Sequence, residues 1–325
     1  MKALFAAQDP GGANAILPVA AALMAHGDTV VARVEGAAQH MFAARGFPLG
    51  AIKPDVVVLG TSGGESVEKR VTDEFRHAVP IVAVLDFWSN YWQRFSTLGA
   101  KDFAYLPDRI CVMDEVARDE MLAEGFPPER IAVTGNPHFD HFADGITRDR
   151  EDPKRVLFVS QPIRADARLP GFAPAAADEF SLLADVTAAL PPGHTLSVRL
   201  HPRDERSKYD AYLDGRVTLA PEKTLEEALS ASGLIIGPAT PVLMQAAAAG
   251  KKALCYEPGL SAPDTLVSNR VGVTTRVSLP EELRSALAAY VRRDWPYATR
   301  PLRDVWPLGA TERVVAVVRS LAERK

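Results

Sequence analysis

Apolar residues in this chain fall into short runs, and segments of helical periodicity separate the runs. Ala3–Ala7, Thr29–Val34, Asp55–Leu59 (DVVVL), Ile81–Leu85, Arg109–Met113 and Ile131–Thr134 are of this kind. A near-continuous apolar run of such length suits a strand of a parallel sheet covered on both faces. Between the runs the spacing predicts helices over Ala15–His26, stopped by Gly27, and on to about Arg45, stopped by Gly46. Further helices are predicted up to about His77 and over Glu115–Glu124. A polar tract, Asp144–Lys154, interrupts the pattern, which then restarts. Strands are predicted at Arg155–Ser160, Thr195–Leu200, Val217–Leu219, Leu234–Ile236 and Ala253–Tyr256. Helices are predicted at Ala177–Leu190, at Thr224–Ser230 behind the capping-box pattern Thr224…Glu227, at Pro280–Val291 and at Thr311–Glu323. A Pro- and Ala-rich loop is expected to about Ala175. Strands alternating with helices in both halves predict an α/β chain of two Rossmann-like, doubly wound parallel sheets. The expected domains are residues 1–147 and 148–308, followed by a helical segment, 309–325.

In open sheets of this type ligands lie beyond the carboxyl ends of the strands, so the loops that follow strands are the candidates. Gly237-Pro238-Ala239-Thr240-Pro241 leads from a strand into a helix. Gly237 lets a ligand approach the backbone, Thr240 is a hydroxyl N-cap, and Pro241 suits the first helical position. The free N–H groups and positive dipole end of that helix start suit a phosphate; an ordinary well-capped crossover has the same residues. Leu200-His201-Pro202-Arg203 also follows a strand. His201 is a donor or titrating group, and Arg199 and Arg203 are the bidentate donors that phosphates favour. The alternative is a surface loop in which His201 caps a turn.

In the first half, Asp9-Pro10-Gly11-Gly12-Ala13-Asn14 is expected as a turn after the first strand. Asp9 is a candidate general base for a sugar hydroxyl, and Gly11 and Gly12 let a substrate approach; otherwise Asp9 is a solvated helix cap. GxGxxG is absent, which disfavours nicotinamide binding. Gly60–Ser66, with Ser62, offers a cradle for phosphate or sugar but lacks the Lys of a P-loop. Among Phe87, Trp88, Tyr91 and Trp92, packing is expected for Phe87 and Trp92, while stacking on a substrate stays open for Trp88 and Tyr91. His138, Asp140 and His141 invite a metal, but the further ligands and supporting groups of such a site are missing, so none is expected. No G-x-S-x-G is present for serine hydrolysis.

Composition narrows the class. The 325 residues are 47% hydrophobic and 24% charged, with net charge −4 and pI about 6.0, a soluble globular profile without a global basic footprint for nucleic acid. No apolar run reaches the ~20 residues that span a bilayer, and the N-terminus reads as a strand rather than a leader. Cys111 and Cys255 fall in predicted buried strands, as structural thiols in a reducing compartment, so a cytoplasmic location is expected.

Three motifs carry a resemblance: TGNPHFD (Thr134–Asp140), RLHPRD (Arg199–Asp204) and GPATPVLMQAAAAGKKALCYEPG (Gly237–Gly259). Together they resemble the GT-B glycosyltransferase superfamily. That group includes nucleotide-sugar 2-epimerases, capsule polysaccharide transferases and CDP-glycerol glycerophosphotransferases. Gly309–Leu321 looks like the helix that in this superfamily crosses back to the first domain. The resemblance implies a second domain that binds a nucleotide-activated donor as co-substrate, with no further cofactor. His201 and Arg199 would face the phosphates, with Arg203, Gly237, Ala239 and Thr240 beside them and Glu257 near the ribose. Asp9 would be the acid–base residue, and Gly11, Gly12, Asn14, Ser62, Trp88, Tyr91 and Asn136 the substrate side. The expected Ser/Thr pair is here Ala239-Thr240. The HR-x-x-EN signature of the 2-epimerases is replaced by Ser160-Gln161-Pro162-Ile163-Arg164. The expected activity is therefore inverting, metal-independent transfer of a sugar from a nucleotide donor to an acceptor hydroxyl in surface polysaccharide or glycoconjugate synthesis. The alternatives are an NDP-sugar 2-epimerase or hydrolase on the same scaffold, or a non-catalytic nucleotide- or sugar-binding protein. The expected partners are a nucleotide sugar and an acceptor glycan or small molecule, and the oligomeric state stays open.

Overall fold

A computed structural model describes residues 1–168, 176–259, 264–297 and 299–323. The Pro- and Ala-rich loop expected up to Ala175 lies partly outside these. The chain packs as two compact units, Met1–His141 with Trp306–Lys325, and Phe142–Val305.

The first unit holds β1 (Lys2–Ala7), β2 (Thr29–Val34), β3 (Val56–Leu59), β4 (Ile81–Val84), β5 (Arg109–Val112) and β6 (Ile131–Val133). They form one sheet in the order β2-β1-β3-β4-β5-β6, and every pairing is parallel. All four residues of β3 and of β4 are buried, as strands covered on both faces require. One layer of the core joins Phe5, Val58 and Val84 to Ile16 and Leu23 of the helix Pro10–Ala25. The helix Ala310–Ala322 adds Val314, Val315 and Val318 to the same cluster.

The second unit holds β7 (Asp152–Val159), β8 (Thr195–Arg199), β9 (Val217–Leu219), β10 (Ser232–Gly237), β11 (Lys252–Tyr256) and β12 (Thr275–Val277), in the order β12-β11-β10-β7-β8-β9, again parallel. Its core gathers Phe158, Val198, Ile236 and Leu254 from the sheet with Leu183 and Leu287 from the flanking helices. Chain order reverses beside β1 in one sheet and beside β7 in the other. Those switch points are where a doubly wound sheet opens a crevice.

Three local expectations change. Asp9–Asn14 is not a turn: the helix begins at Pro10, with Asp9 at the N-cap, because Pro fits the first helical position. The polar tract expected to reach Lys154 ends earlier, since β7 already begins at Asp152. The strand β12 carries no apolar run long enough to announce itself, and it pairs only at the sheet edge. Both cysteines are buried and unpaired, and burial pushes the Cys111 thiol up to about 12, which leaves it inert as a nucleophile at neutral pH. No helix among the described residues is long and apolar enough to cross a membrane.

Candidate functional site

The carboxyl ends of β7, β8 and β9 open into a cleft of about 650 Å³. Ser160 and Gln161 follow β7, His201 follows β8, Ala220–Lys223 follow β9, and Val242 of the helix Pro241–Ala248 completes the wall. This volume suits a small ligand of nucleotide size.

His201 is oriented through both ends. Its backbone N–H donates to Asp204 Oδ2 at 3.0 Å, and its Nδ1 accepts the backbone N–H of Arg203 at 3.2 Å. Burial, then the Arg203 charge, lowers its pKa from the ordinary value, so the ring is neutral at pH 7. With Nδ1 as acceptor, the neutral ring carries its proton on Nε2 and offers one N–H donor.

Thr240 caps the helix Pro241–Ala248. Its Oγ1 accepts from the Val242 N–H at 3.4 Å and from Gln161 Nε2 at 3.1 Å. Gln161 lies in the cleft wall, so this second bond ties the capped helix to the cleft across the switch point between β7 and β10. The Ala239 N–H donates to the Glu257 carboxyl, whose pKa is raised by burial and then by neighbouring Asp264. Glu257 and Ala239 therefore sit together at the helix start, as a carboxyl that holds its proton more tightly than usual.

Other expected donors are engaged elsewhere. Arg199 lines the cleft, but Nη1 donates to the Glu222 carbonyl at 2.7 Å and Nη2 to the Lys223 carbonyl at 3.1 Å. Its guanidinium fastens the loop after β9 and is not presented as a free fork. Arg203 forks onto Asp166 with both distances 2.9 Å. Gly237 is bare for packing, since a Cβ there would meet the Val159 carbonyl at 3.0 Å.

In the first unit the loops after β1, β3 and β4 converge at the other switch point. Asp9 is exposed and makes no side-chain cap bond. Gly11 is bare because a Cβ would fall 1.9 Å from Asp86 Oδ2, and Gly12 packs on Gly60 and the Thr61 backbone. Gly12 is therefore buried in close packing, while Gly11 is half-buried and faces the end of the Asp86 side chain. Asn14 is half-buried on the same helix. Ser62 is buried and donates to Glu68 Oε1 at 2.8 Å, so its hydroxyl is engaged inside the fold. Asn136 is also buried: Nδ2 donates to the Asp86 carbonyl at 3.2 Å, and Oδ1 accepts the His138 N–H at 2.9 Å.

The aromatic expectation reverses. Trp88 and Tyr91, left open for stacking on a substrate, are 5% and 3% exposed, while Phe87 and Trp92 are half-buried. The Trp88 indole N–H donates to Asp114, and its ring packs on Phe139 and Trp306; the Tyr91 hydroxyl donates to Glu120 at 2.6 Å. The physical reason is that each has a polar tip that a nearby carboxylate satisfies inside the fold. Asp140 of the His138–His141 cluster is used as a cap, accepting the N–H groups of Gly309, Ala310 and Thr311.

Two groups escape notice in the sequence. Asp86 lies two residues past the end of β4, pairs with Arg94 and accepts from Thr61 Oγ1 at 3.2 Å. Its place after a strand is a usable signal, hidden by the aromatic residues beside it. Glu68 is 4% exposed: Oε1 accepts from Ser62 and from the Gln8 N–H at 3.2 Å, while Oε2 has no hydrogen-bond partner among the described residues. Burial raises its pKa. In sequence it is an ordinary first-turn acid of the helix Val67–Phe75, with nothing to show its burial.

No protein-family model matches the chain, and no curated protein matches it. Solved structures of similar fold are available for comparison. A Methanocaldococcus jannaschii UDP-GlcNAc 2-epimerase in complex with UDP-GlcNAc and UDP has TM-score 0.67 at 13% identity, covering 98% of this chain and 100% of that one. MurG of Acinetobacter baumannii has TM-score 0.61 at 16% identity, covering 98% and 99%. Anabaena HepE in complex with UDP-glucose has TM-score 0.60 at 16% identity, covering 100% and 99%. At such identities the likeness speaks to architecture, and with two six-stranded parallel sheets and interleaved helices, this chain has the GT-B fold.

Proposed function

We propose that this protein is an enzyme acting on a nucleoside diphosphate sugar, and that it breaks the bond between the anomeric carbon and the diphosphate. The observation that carries this reading is neutral His201, held with Nε2–H as its donor in a cleft of nucleotide size at the strand ends. The GT-B fold supports it, because proteins of similar fold are solved with UDP, UDP-GlcNAc and UDP-glucose. In the proposed complex the nucleotide occupies the cleft of the second unit. His201 stabilises the negative charge that grows on the departing diphosphate, with the positive dipole end of the helix Pro241–Ala248 beside it. Glu257, beside Ala239, is proposed to meet a ribose hydroxyl.

Acceptor-independent conversion, by 2-epimerisation or hydrolysis, is the first reading, since UDP-GlcNAc 2-epimerases are among the proteins of like fold. Transfer to an acceptor hydroxyl is the second, favoured by Ser160–Arg164 standing where the 2-epimerases have HR-x-x-EN. In that second reading exposed Asp9 is the proposed base. The test is incubation with UDP-GlcNAc and UDP-glucose without acceptor, followed by proton NMR. A C2 epimer, a glycal or free sugar with release of UDP supports the first reading. Turnover only when an acceptor glycan is added supports the second, with Asp9→Asn expected to abolish it. Failure to bind UDP or any other nucleoside diphosphate, with no turnover, overturns both.

A further inference from the structure

We infer that Asp204 is the positioning residue of the cleft: it locks the His201 backbone to the end of β7, so that the imidazole meets a diphosphate in one orientation and one tautomer. This rests on the nucleotide reading of the same cleft given above.

Asp204 lines the cleft and is at the centre of a largely buried network behind it. Its side chain is 3% exposed, and every bond it makes leads to the cleft or its support. Oδ2 accepts the His201 N–H at 3.0 Å and the Ser160 hydroxyl at 2.8 Å. Oδ1 accepts from Lys208 Nζ at 2.7 Å. Ser160 Oγ lies 2.7 Å from the hydroxyl of fully buried Tyr209. Lys208 in turn pairs with Glu179 at 2.8 Å, and the Glu179 side chain is 2% exposed. Burial alone would raise the Asp204 pKa, but the bonds from Lys208, Ser160 and the His201 N–H outweigh it and hold the carboxyl below its ordinary value. It is therefore an anion at neutral pH.

The geometry runs outward from that anion. The Asp204 N–H donates to the His201 carbonyl at 2.8 Å, closing a tight turn over His201–Asp204. The same turn delivers the Arg203 N–H to His201 Nδ1. Asp204 thus fixes both the backbone that carries the ring and the donor that sets its tautomer, without itself being assigned to the ligand. Closing a four-residue turn needs neither the half-buried Lys208 ammonium nor the buried side chains of Asp204 and Glu179. Such groups are expensive to desolvate, and replacing them by apolar residues is often neutral or stabilising. What this network secures is the spacing between Ser160 and His201, the two strand ends that flank the cleft floor. Pre-organised donors of this sort act at full strength because no reorganisation is needed on binding.

The experiment uses the full chain with Asp204→Asn, Tyr209→Phe and His201→Ala, alone and combined. UDP affinity is read by calorimetry, and the His201 ring nitrogens by NMR. Thermal unfolding checks that each variant is folded. Asp204→Asn is expected to weaken UDP binding about 10- to 100-fold, and Tyr209→Phe about 2- to 10-fold. In the His201→Ala background both effects should vanish, because positioning has nothing left to position. The His201 ring should show a single Nε2–H form in the wild type and a mixture in Asp204→Asn. Tyr209→Phe is nearly isosteric and keeps the test open if Asp204→Asn does not fold. The inference is overturned if UDP affinity and the His201 resonances are unchanged in the folded variants, or if the loss of affinity persists in full without His201. Should the wild type bind no nucleoside diphosphate, the nucleotide reading falls, while the His201 resonances still decide whether Asp204 sets the tautomer.

Discussion

Asp140→Ala tests how the helix Ala310–Ala322 is held on the first unit. That helix starts at Gly309, which has φ +89° and no side chain with which to cap. Asp140 supplies the cap from a distant part of the chain. Oδ1 accepts the N–H of Gly309 at 2.9 Å and of Ala310 at 3.2 Å; Oδ2 accepts the Thr311 N–H at 2.9 Å and its hydroxyl at 2.8 Å. Removing the carboxylate loses a cap, worth about 0.5–2 kcal/mol, and a favourable charge at a helix N-terminus, worth about 0.3–1 kcal/mol. It also strands donors, and Ala310 is only 2% exposed, which adds about 1–3 kcal/mol per buried unsatisfied group. These contributions overlap, so the expected loss is about 2–4 kcal/mol. For a unit of about 160 residues this lowers the melting temperature by about 5–15 °C. The assay is urea unfolding followed by tryptophan fluorescence, since Trp88 and Trp306 pack together beside Asp114 in this unit. Asp140→Asn, which keeps one acceptor oxygen, should lose about half as much. A difference between Asp140→Ala and the wild type below about 0.5 kcal/mol would refute the reasoning, since that is within the ordinary effect of a surface change.

Three further outcomes follow from the site and its supports. Because the His201 pKa is lowered, the ring gains its charge only as pH falls below the ordinary value of 6.5, so UDP affinity should rise there relative to His201→Gln; parallel calorimetric profiles for the two proteins from pH 8 to 5 would count against the assignment. Glu68 has a raised pKa, so its contribution to stability is complete below the unfolded carboxylate value near 4.5 and is lost as pH rises through the folded value. Glu68→Gln should therefore gain stability on the wild type between pH 4.5 and pH 8 in denaturant titrations, and an equal difference at both pH values contradicts this. A Cβ on Gly60 would lie 2.9 Å from the Gly12 backbone, so Gly60→Ala should cost about 1–3 kcal/mol, measurable as a lower urea midpoint with unchanged slope.

The architecture was legible because its signal is local and repeated. A fully apolar run such as Val56–Leu59 reads as a buried parallel strand from composition alone, and Thr224…Glu227 forms the capping box its spacing announces. β12 was not legible, since three residues with one buried side chain leave no pattern. The loops likewise pointed to the strand ends where the cleft lies, and His201 was visible there by its place after β8. What the sequence does not carry is the direction of a side chain. Arg199 ends β8 and Trp88 lies in the loop after β4, as a ligand-binding residue would, yet one clamps carbonyls and the other fills the core. Both outcomes depend on partners far along the chain, Glu222 for one and Trp306 for the other. Asp204 was hidden in a different way. Three residues after His201 it looks like a solvated turn acid, and only Lys208, Ser160 and Tyr209 closing over it make it a buried anchor.

The first unit is assembled from two stretches of chain, with the whole second unit inserted between His141 and Trp306. During synthesis, therefore, β1 to β6 are complete long before Val314, Val315 and Val318 exist to cover the core around Phe5 and Val58. Domains tend to fold as units while the chain emerges, at about 5–20 residues per second. The later-made unit, continuous in sequence, can reach its final fold first, while the earlier-made one waits with an apolar face uncovered. That waiting time makes residues 306–325 a point of vulnerability: a chain stalled or cleaved before them carries an intact second unit on a partner unit prone to aggregate.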